Sequence, residues 1–292
     1  MIYQIAHHIT RRHLTRLNRQ HLAQYPQVAC FSFDLITHFI HMDGRYEKDE
    51  LDFLIRHVFP QLPKGGVCLD VGANIGNHSL AFAPHFASVI GFEPHPRTFR
   101  LLALNAELVP NVTVLNLGAS SGPGVVSVGQ DPQNMAATGI GRDGIAGMAR
   151  VDFRVERIDD LAEVQGGGPV TFMKVDVEGH EAQALEGAAD TIRRHGPLIA
   201  LEVLSEDVEN GETASLRVLR GLGYRHFYEL REKGWLGRLG RRPRRLMRTL
   251  LTLFTGRKPS KADTLARVER LENRSYLMIL CAMQPLSIGT KG

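Results

Sequence analysis

Val67-Cys68-Leu69-Asp70-Val71-Gly72-Ala73-Asn74-Ile75-Gly76, followed by Gly91-Phe92-Glu93-Pro94, is the stretch whose reading decides the fold. A short apolar run ends in an acid, turns through two glycines and opens a helix near Asn77. A second apolar run, Ser88 to Phe92, ends in another acid, Glu93. Strand, glycine turn, helix, strand and acid in that order form the front half of a nucleotide-type cofactor site. Outward from it the alternation continues. Strands are predicted near 67–71, 88–93, 112–116, 171–177 and 198–203, and helices near 77–83, 95–107, 181–194 and 213–222. Strands separated by helices argue for an α/β protein with a parallel sheet covered on both faces.

The flanks read differently. Residues 1–27 have the pattern of one or two polar amphipathic helices, Phe31–His41 that of a strand turned by Asp43-Gly44. Glu47–Val58 has helical apolar spacing at Leu51, Leu54, Ile55 and Val58. Residues 1–60 are therefore expected to form an N-terminal helical and hairpin extension to a core spanning 61–230. Between Gly118 and Gly168 the rhythm breaks into strand-like pieces at 125–128 and 151–155. They suggest a hairpin with a long loop over 130–150, the kind of element that covers a binding site. Residues 231–272 read as a basic amphipathic insertion. Residues 273–292 read as a final strand and tail, with Tyr276–Met283 pairing as an antiparallel edge strand.

The chain has 292 residues, 43% hydrophobic and 23% charged, which suits one sizeable core with additions. Cys30, Cys68 and Cys281 lie far apart without metal-ligand spacing, a usage that fits a reducing, cytoplasmic compartment. No run approaches the roughly 20 apolar residues a membrane span requires. The net charge of +4 is local in origin. Eleven of the 35 basic residues fall between Arg231 and Lys261 against one acid, Glu232, so the remainder is net acidic and a general nucleic-acid surface is not implied.

The glycine spacing narrows the cofactor. A pyrophosphate-binding turn needs a glycine at the middle position of G-x-G-x-x-G, where Asn74 stands here. A smaller cationic cofactor without phosphates, such as S-adenosylmethionine, needs less room and gains from carboxylates at the strand ends. Asp70 can hold its amino group through ordered water or directly. Backbone near Gly72 allows close approach, and Glu93 can accept both ribose hydroxyls.

The segments LDVGANIGNHSL (69–80), GFEPHP (91–96), FMKVDVEGHEAQALEGA (172–188) and PLIALEV (197–203) together resemble the FkbM-type methyltransferases, S-adenosylmethionine-dependent class I enzymes that mostly methylate hydroxyls. The matching segments span roughly half the chain, and K-x-D-x-E-G-H-E is the most specific of them. The resemblance implies the Rossmann-like class I methyltransferase fold. In it a mostly parallel seven-stranded sheet has an antiparallel last strand and helices on both faces. The expected cofactor-binding set is Asp70, Gly72, Ala73, Asn74, Gly76, Asn77, His78, Glu93, Pro94 and Ala119.

Lys174, Asp176 and Glu178 alternate with Met173, Val175 and Val177, which directs three charges to one face of a strand. Charges in a central strand are paired, close to its open carboxyl end, or functional. Asp176, Glu178 and His180 are candidates for the base that removes an acceptor hydroxyl proton, with Lys174 holding a carboxylate ionised. The competing reading is a structural network of Lys174 with Asp176 or Glu202. No dedicated metal site is expected, although Asp176, Glu178 and Glu202 offer hard oxygen donors. Pro243 can open a helix with apolar Leu246, Met247, Leu250, Leu253 and Phe254 beside Arg244, Arg245 and Arg248. That pattern suits either an anionic membrane surface contacted through 238–258, at the inner membrane face, or a helix docked on the sheet.

The function expected is methyl transfer to a hydroxyl of a saccharide, lipid-linked saccharide or small metabolite. The rivals are an NAD-type or nucleotide-sugar oxidoreductase on a similar sheet, and a catalytically inactive membrane-associated protein that keeps the cofactor pocket.

Overall fold

A computed structural model describes residues 2–129, 150–232, 247, 260 and 262–287. The central apolar runs become strands β1 (Val67–Val71) and β2 (Ser88–Phe92), and between them the glycine turn leads into helix α4 (Asn77–Phe82). Three helices precede them: α1 (Ile2–Leu22), α2 (Leu35–Asp43) and α3 (Lys48–Phe53), the last continued by a π-helical turn over Leu54–Val58. After β2 come α5 (Pro96–Ala106), β3 (Val112–Leu115) and the short β4 (Gly118–Ala119). The hairpin strands β5 (Gly124–Gly129) and β6 (Arg150–Glu156) follow, then α6 (Ala162–Gln165) and β7 (Val170–Val175). The chain proceeds through α7 (Glu181–Glu186), α8 (Ala189–His195), β8 (Leu198–Val203), α9 (Ala214–Gly221) and β9 (His226–Arg231). It ends in β10 (Thr264–Arg267) and β11 (Tyr276–Ala282).

The main sheet has the order β10-β9-β11-β8-β7-β1-β2-β3. The block β8-β7-β1-β2-β3 is parallel, as the strand–helix alternation requires. Every residue of β1 and β7 is buried, because helices cover both faces. Side-chain alternation divides the core accordingly. Leu69, Met173, Ile199 and Leu201 pack towards Ala184, Leu185, Ile192 and Leu219 of α7, α8 and α9. On the other face Cys68, Phe172, Leu198 and Leu280 meet Leu51, Leu54, Val58, Phe59 and Phe82. Phe172 sits among the rings of Phe59, Phe82 and Phe86, with centroids 5.1–5.9 Å away. The N-terminal segment is therefore part of the core, since its α3 and π-helical turn cover one face of the sheet.

The flanks depart from expectation in three places. Phe31–His41 is not a strand; α2 occupies it, because the Asp34 carboxylate caps the Ile36 N–H and Gly44, at φ +87°, closes the helix through a bond from its N–H to the Ile40 carbonyl. Strand β11 is antiparallel as expected but internal, inserted between β8 and β9 with its residues almost all buried. The sheet has eight strands rather than seven, and the edge beside β9 is β10, drawn from the stretch read as the basic insertion. The stretch read as a long loop over 130–150 lies outside the described residues except for its last residue, as does the stretch 238–258 except for residue 247. The hairpin around that loop is present: β5 and β6 pair antiparallel, and β4 joins β6 to complete a second, three-stranded sheet.

Candidate functional site

The register of β1 against β7 sets Asp70 beside Lys174 and Val71 beside Val175, so both strands end at one level. A cavity opens there, bounded by the 72–78 turn, Glu93–His95, Gly118-Ala119, Phe153 and the end of β7. From the opposite side Leu35, Ile36, Tyr46 and Glu47 of the N-terminal segment close it. Of the residues singled out by sequence, Gly72, Ala73, Asn74, Asn77, His78, Glu93, Pro94, Ala119, Lys174, Asp176 and Glu178 line this cavity; Asp70, Gly76 and His180 do not.

Close approach of backbone builds the turn. Gly72 has φ +85°, and a Cβ there would fall 1.7 Å from the carbonyl oxygen of Asp176. No side chain fits between the end of β1 and the end of β7. The Gly72 and Ala73 N–H groups donate to the Phe92 carbonyl, and Asn74 adopts a left-handed conformation, φ +51°. Gly76, at φ +92°, begins α4 and packs near Leu102. Asn105 supports the turn from behind, donating to the Ile75 carbonyl at 2.7 Å and bridging to the Ala29 backbone.

At one end of the cavity Glu93 is buried and held by two backbone donors. The Asn74 N–H reaches its Oε2 at 3.0 Å, and the His95 N–H its Oε1 at 2.8 Å. Burial pushes its carboxyl up to about 7, although the two hydrogen bonds oppose the shift. His95 stacks edge-on to Phe153 with centroids 5.8 Å apart, which gives this end a flat apolar wall.

The other end is charged. Lys174 Nζ lies 2.8 Å from Asp176 Oδ2 and 3.9 Å from Asp70 Oδ1, and Ser79 Oγ donates to Asp70 Oδ2 at 2.6 Å. Burial by itself lowers Lys174, but the carboxylates of Asp176 and Asp70 outweigh it and hold the ammonium charged. Asp176 keeps 30% of its side-chain exposure, on the cavity side, whereas Asp70 has none. Glu202 hydrogen-bonds Asp176. Burial and the adjacent Asp176 charge raise Glu202 well above the carboxylate range; Lys174 and the Glu202 hydrogen bond overcome burial to lower Asp176. The two shifts run in opposite directions, which favours a proton on Glu202 over one on Asp176. Glu178, at φ +54°, leaves the strand alternation expected of it because β7 ends at Val175. Ligand oxygens of Asp176, Glu178 and Glu202 come within 4.8 Å of one another, but Asp176 already has the Lys174 ammonium as its cation.

Three sequence expectations are redirected. Asp70 is buried beneath the cavity, 3.9 Å from Lys174, and does not line it. His180 turns to Ser120, Nε2 to Oγ 2.9 Å, and burial lowers its pKa. Asn77 spends its amide on the backbone of Tyr46, accepting from its N–H at 3.0 Å and donating to its carbonyl at 3.1 Å. His78 Nε2 lies 3.0 Å from Glu47 Oε2, both side chains under 10% exposed. Tyr46 also hydrogen-bonds Glu47, and burial followed by Glu47, Asp176 and Glu202 raises its phenol. Tyr46 and Glu47 belong to no motif; the only local sign of them is that they follow the helix-ending Gly44.

Residues 70–226 match the model of the methyltransferase FkbM domain. The chain is 32% identical over 152 residues to the hexuronic acid methyltransferase AglP of Haloferax volcanii, covering 52% of this chain and 60% of that protein. It is 26% identical over 180 residues to the methyltransferase sdnD of Sordaria araneosa, covering 48% of this chain and 70% of that one. Among solved structures, a methyltransferase FkbM from Methylobacillus flagellatus aligns at 21% identity and a TM-score of 0.37, covering 56% of this chain and 41% of that chain.

Proposed function

The chain belongs to the FkbM methyltransferase family, and from that premise we propose that it is an S-adenosylmethionine-dependent O-methyltransferase acting on a hydroxyl of a saccharide, lipid-linked saccharide or small metabolite. The observation that carries the proposal is the polarity of one cavity: a flat wall and a diol-accepting carboxylate at one end, an ordered carboxylate cluster at the other. Such a cavity suits a cationic cofactor and opposes a pyrophosphate, which would meet Asn74 and several acids. On this reading Glu93 takes the ribose hydroxyls, and Gly72, Ala73 and Asn74 form the wall along which the cofactor lies. When bound, S-adenosylmethionine supplies an electrophilic methyl group on a sulfonium.

The chain's own residues handle the acceptor. Asp176, kept ionised by Lys174, accepts the hydrogen bond of the acceptor hydroxyl and receives its proton as the carbon–oxygen bond forms. Glu178, on the same wall, is the alternative proton acceptor. Glu202, whose burial favours the protonated form, hydrogen-bonds Asp176 and orients it. The acidity at this end also bears on the acceptor: a carboxylate presented there would face Glu47, Asp176 and Glu178, whereas a neutral hydroxyl would not. The likeness to a hexuronic acid methyltransferase supports a saccharide acceptor. Calorimetry with S-adenosylmethionine and NAD tests the cofactor assignment; tighter binding of NAD would sink it. Attachment of 238–258 to an anionic membrane surface is part of the same proposal, and absence of co-sedimentation with anionic liposomes at low salt would remove it.

A further inference from the structure

We propose that Glu47, positioned by His78, is the carboxylate that receives the α-amino group of the cofactor's methionyl arm. The proposal rests on the S-adenosylmethionine reading above, and it assigns a binding residue outside the span matched by the family model, 70–226.

A methionyl ammonium needs a carboxylate with a free acceptor direction inside the cavity. The acid expected for this at the end of β1 is withdrawn from it. Asp70 is fully buried, takes the Ser79 hydroxyl, faces Lys174 and does not line the cavity. Asp176 is committed to Lys174 at 2.8 Å and to the Glu202 hydrogen bond. Glu93 stands at the opposite end of the cavity, where its remaining acceptor directions are assigned to the ribose hydroxyls.

Glu47 meets the requirement. It lines the cavity across from the 72–78 turn, and its side chain is 9% exposed. Its position is over-determined. Asn77 grips the backbone of the preceding Tyr46 from both sides, and His78 Nε2 sits 3.0 Å from Oε2. Glu47 itself has φ +51°, a left-handed conformation that disfavours a residue with a Cβ and persists only where surrounding contacts enforce it. Two adjacent residues of one segment, Asn77 and His78, thus clamp the adjacent pair Tyr46-Glu47 of another and hold one acid against a cavity wall. An exposed glutamate beginning α3 would need none of this. The assignment has room: His78 and the Tyr46 hydrogen bond use two of the roughly four acceptor directions of the carboxylate, and the others remain for a ligand.

The test is calorimetric binding to the full-length protein, with S-adenosylmethionine and with 5′-methylthioadenosine, which lacks the amino-acid arm. Glu47→Gln is expected to weaken S-adenosylmethionine at least tenfold and to leave methylthioadenosine within twofold of wild type. Glu47→Asp, which keeps the charge, is expected to recover part of the preference for the full cofactor. Equal binding of S-adenosylmethionine by wild type and Glu47→Gln would overturn the proposal. So would equal losses for both ligands, which would mean that the glutamate only shapes the turn. If the wild-type protein binds neither ligand, the cofactor reading itself fails and the Glu47 assignment falls with it.

Discussion

Replacing Gly72 by alanine should separate two effects that other substitutions mix. The new Cβ would stand 1.7 Å from the Asp176 carbonyl oxygen, whereas ordinary contacts at a Cβ are 3.4–4 Å. The turn after β1 and the end of β7 must then part by about 1.7 Å, and both are backbone, so no rotamer change can absorb the clash. The left-handed φ adds about 1–2 kcal/mol, and overpacking of this kind about 1–3 kcal/mol more, for a total of about 2–5 kcal/mol. Gly65 supplies the control: its φ is +75°, yet nothing lies within 4 Å of its Cβ position, so Gly65→Ala should cost only the first contribution. Urea denaturation of the three proteins should place Gly72→Ala well below Gly65→Ala, and Gly65→Ala slightly below wild type. Because the displaced carbonyl belongs to Asp176, cofactor affinity and turnover should fall in Gly72→Ala and hold in Gly65→Ala. Equal stability and equal cofactor binding in the two variants would refute the reasoning.

Further expectations concern the charged end and its pH response. Asp176→Asn removes the nearest counter-charge of buried Lys174 and should cost about 2–3 kcal/mol by denaturant titration, below the full cost of breaking a buried pair because Asp176 opens to the cavity. The same variant should lose at least about a hundredfold in turnover while retaining cofactor binding, and wild-type turnover would exclude Asp176 as the proton acceptor. Glu93, raised to about 7 by burial, must be ionised to accept two hydroxyls, so cofactor affinity should weaken as pH falls through 7, by about tenfold between pH 8 and pH 6. Glu93→Gln should flatten that profile, and an unchanged profile in the variant would assign the titration elsewhere. Excess chelator should leave turnover unchanged, since Lys174 already neutralises Asp176; a loss restored by magnesium would assign a metal to Asp176, Glu178 and Glu202.

What could be read in the sequence was what short-range physics determines. The apolar runs of β1, β2, β7 and β8, the glycines between β1 and α4 and the charges around Lys174 each carry their signal within about a dozen residues. Phe31–His41 failed as a strand because its end residues, Asp34 and Gly44, decide the structure more firmly than its apolar content does. The internal place of β11 has no local signature, since strand order is set by which partner a strand finds after the chain has left the sheet and returned. Asp70 looked like a ligand because it nearly ends a strand. One further residue, Val71, and the cover of Ser79 and Lys174 keep it from lining the cavity. Tyr46 and Glu47 were invisible for a different reason: they reach the site through Asn77 and His78, 31 residues away, and only the Asn77-His78 end of that clamp lies in a recognisable segment. His180 sits within the most specific motif, yet Ser120 holds it from 60 residues away.

The central claim is methyl transfer from S-adenosylmethionine to a hydroxyl, and the most direct measurement uses a methyl-labelled cofactor with the full-length protein and a panel of saccharide and lipid-linked saccharide acceptors that includes hexuronic acids. Alkali then distinguishes the product: a methyl ether survives it and a methyl ester on a carboxyl group does not. The account predicts label in an alkali-stable product, lost in Asp176→Asn. Label released by alkali, or undiminished transfer by Asp176→Asn, would contradict it.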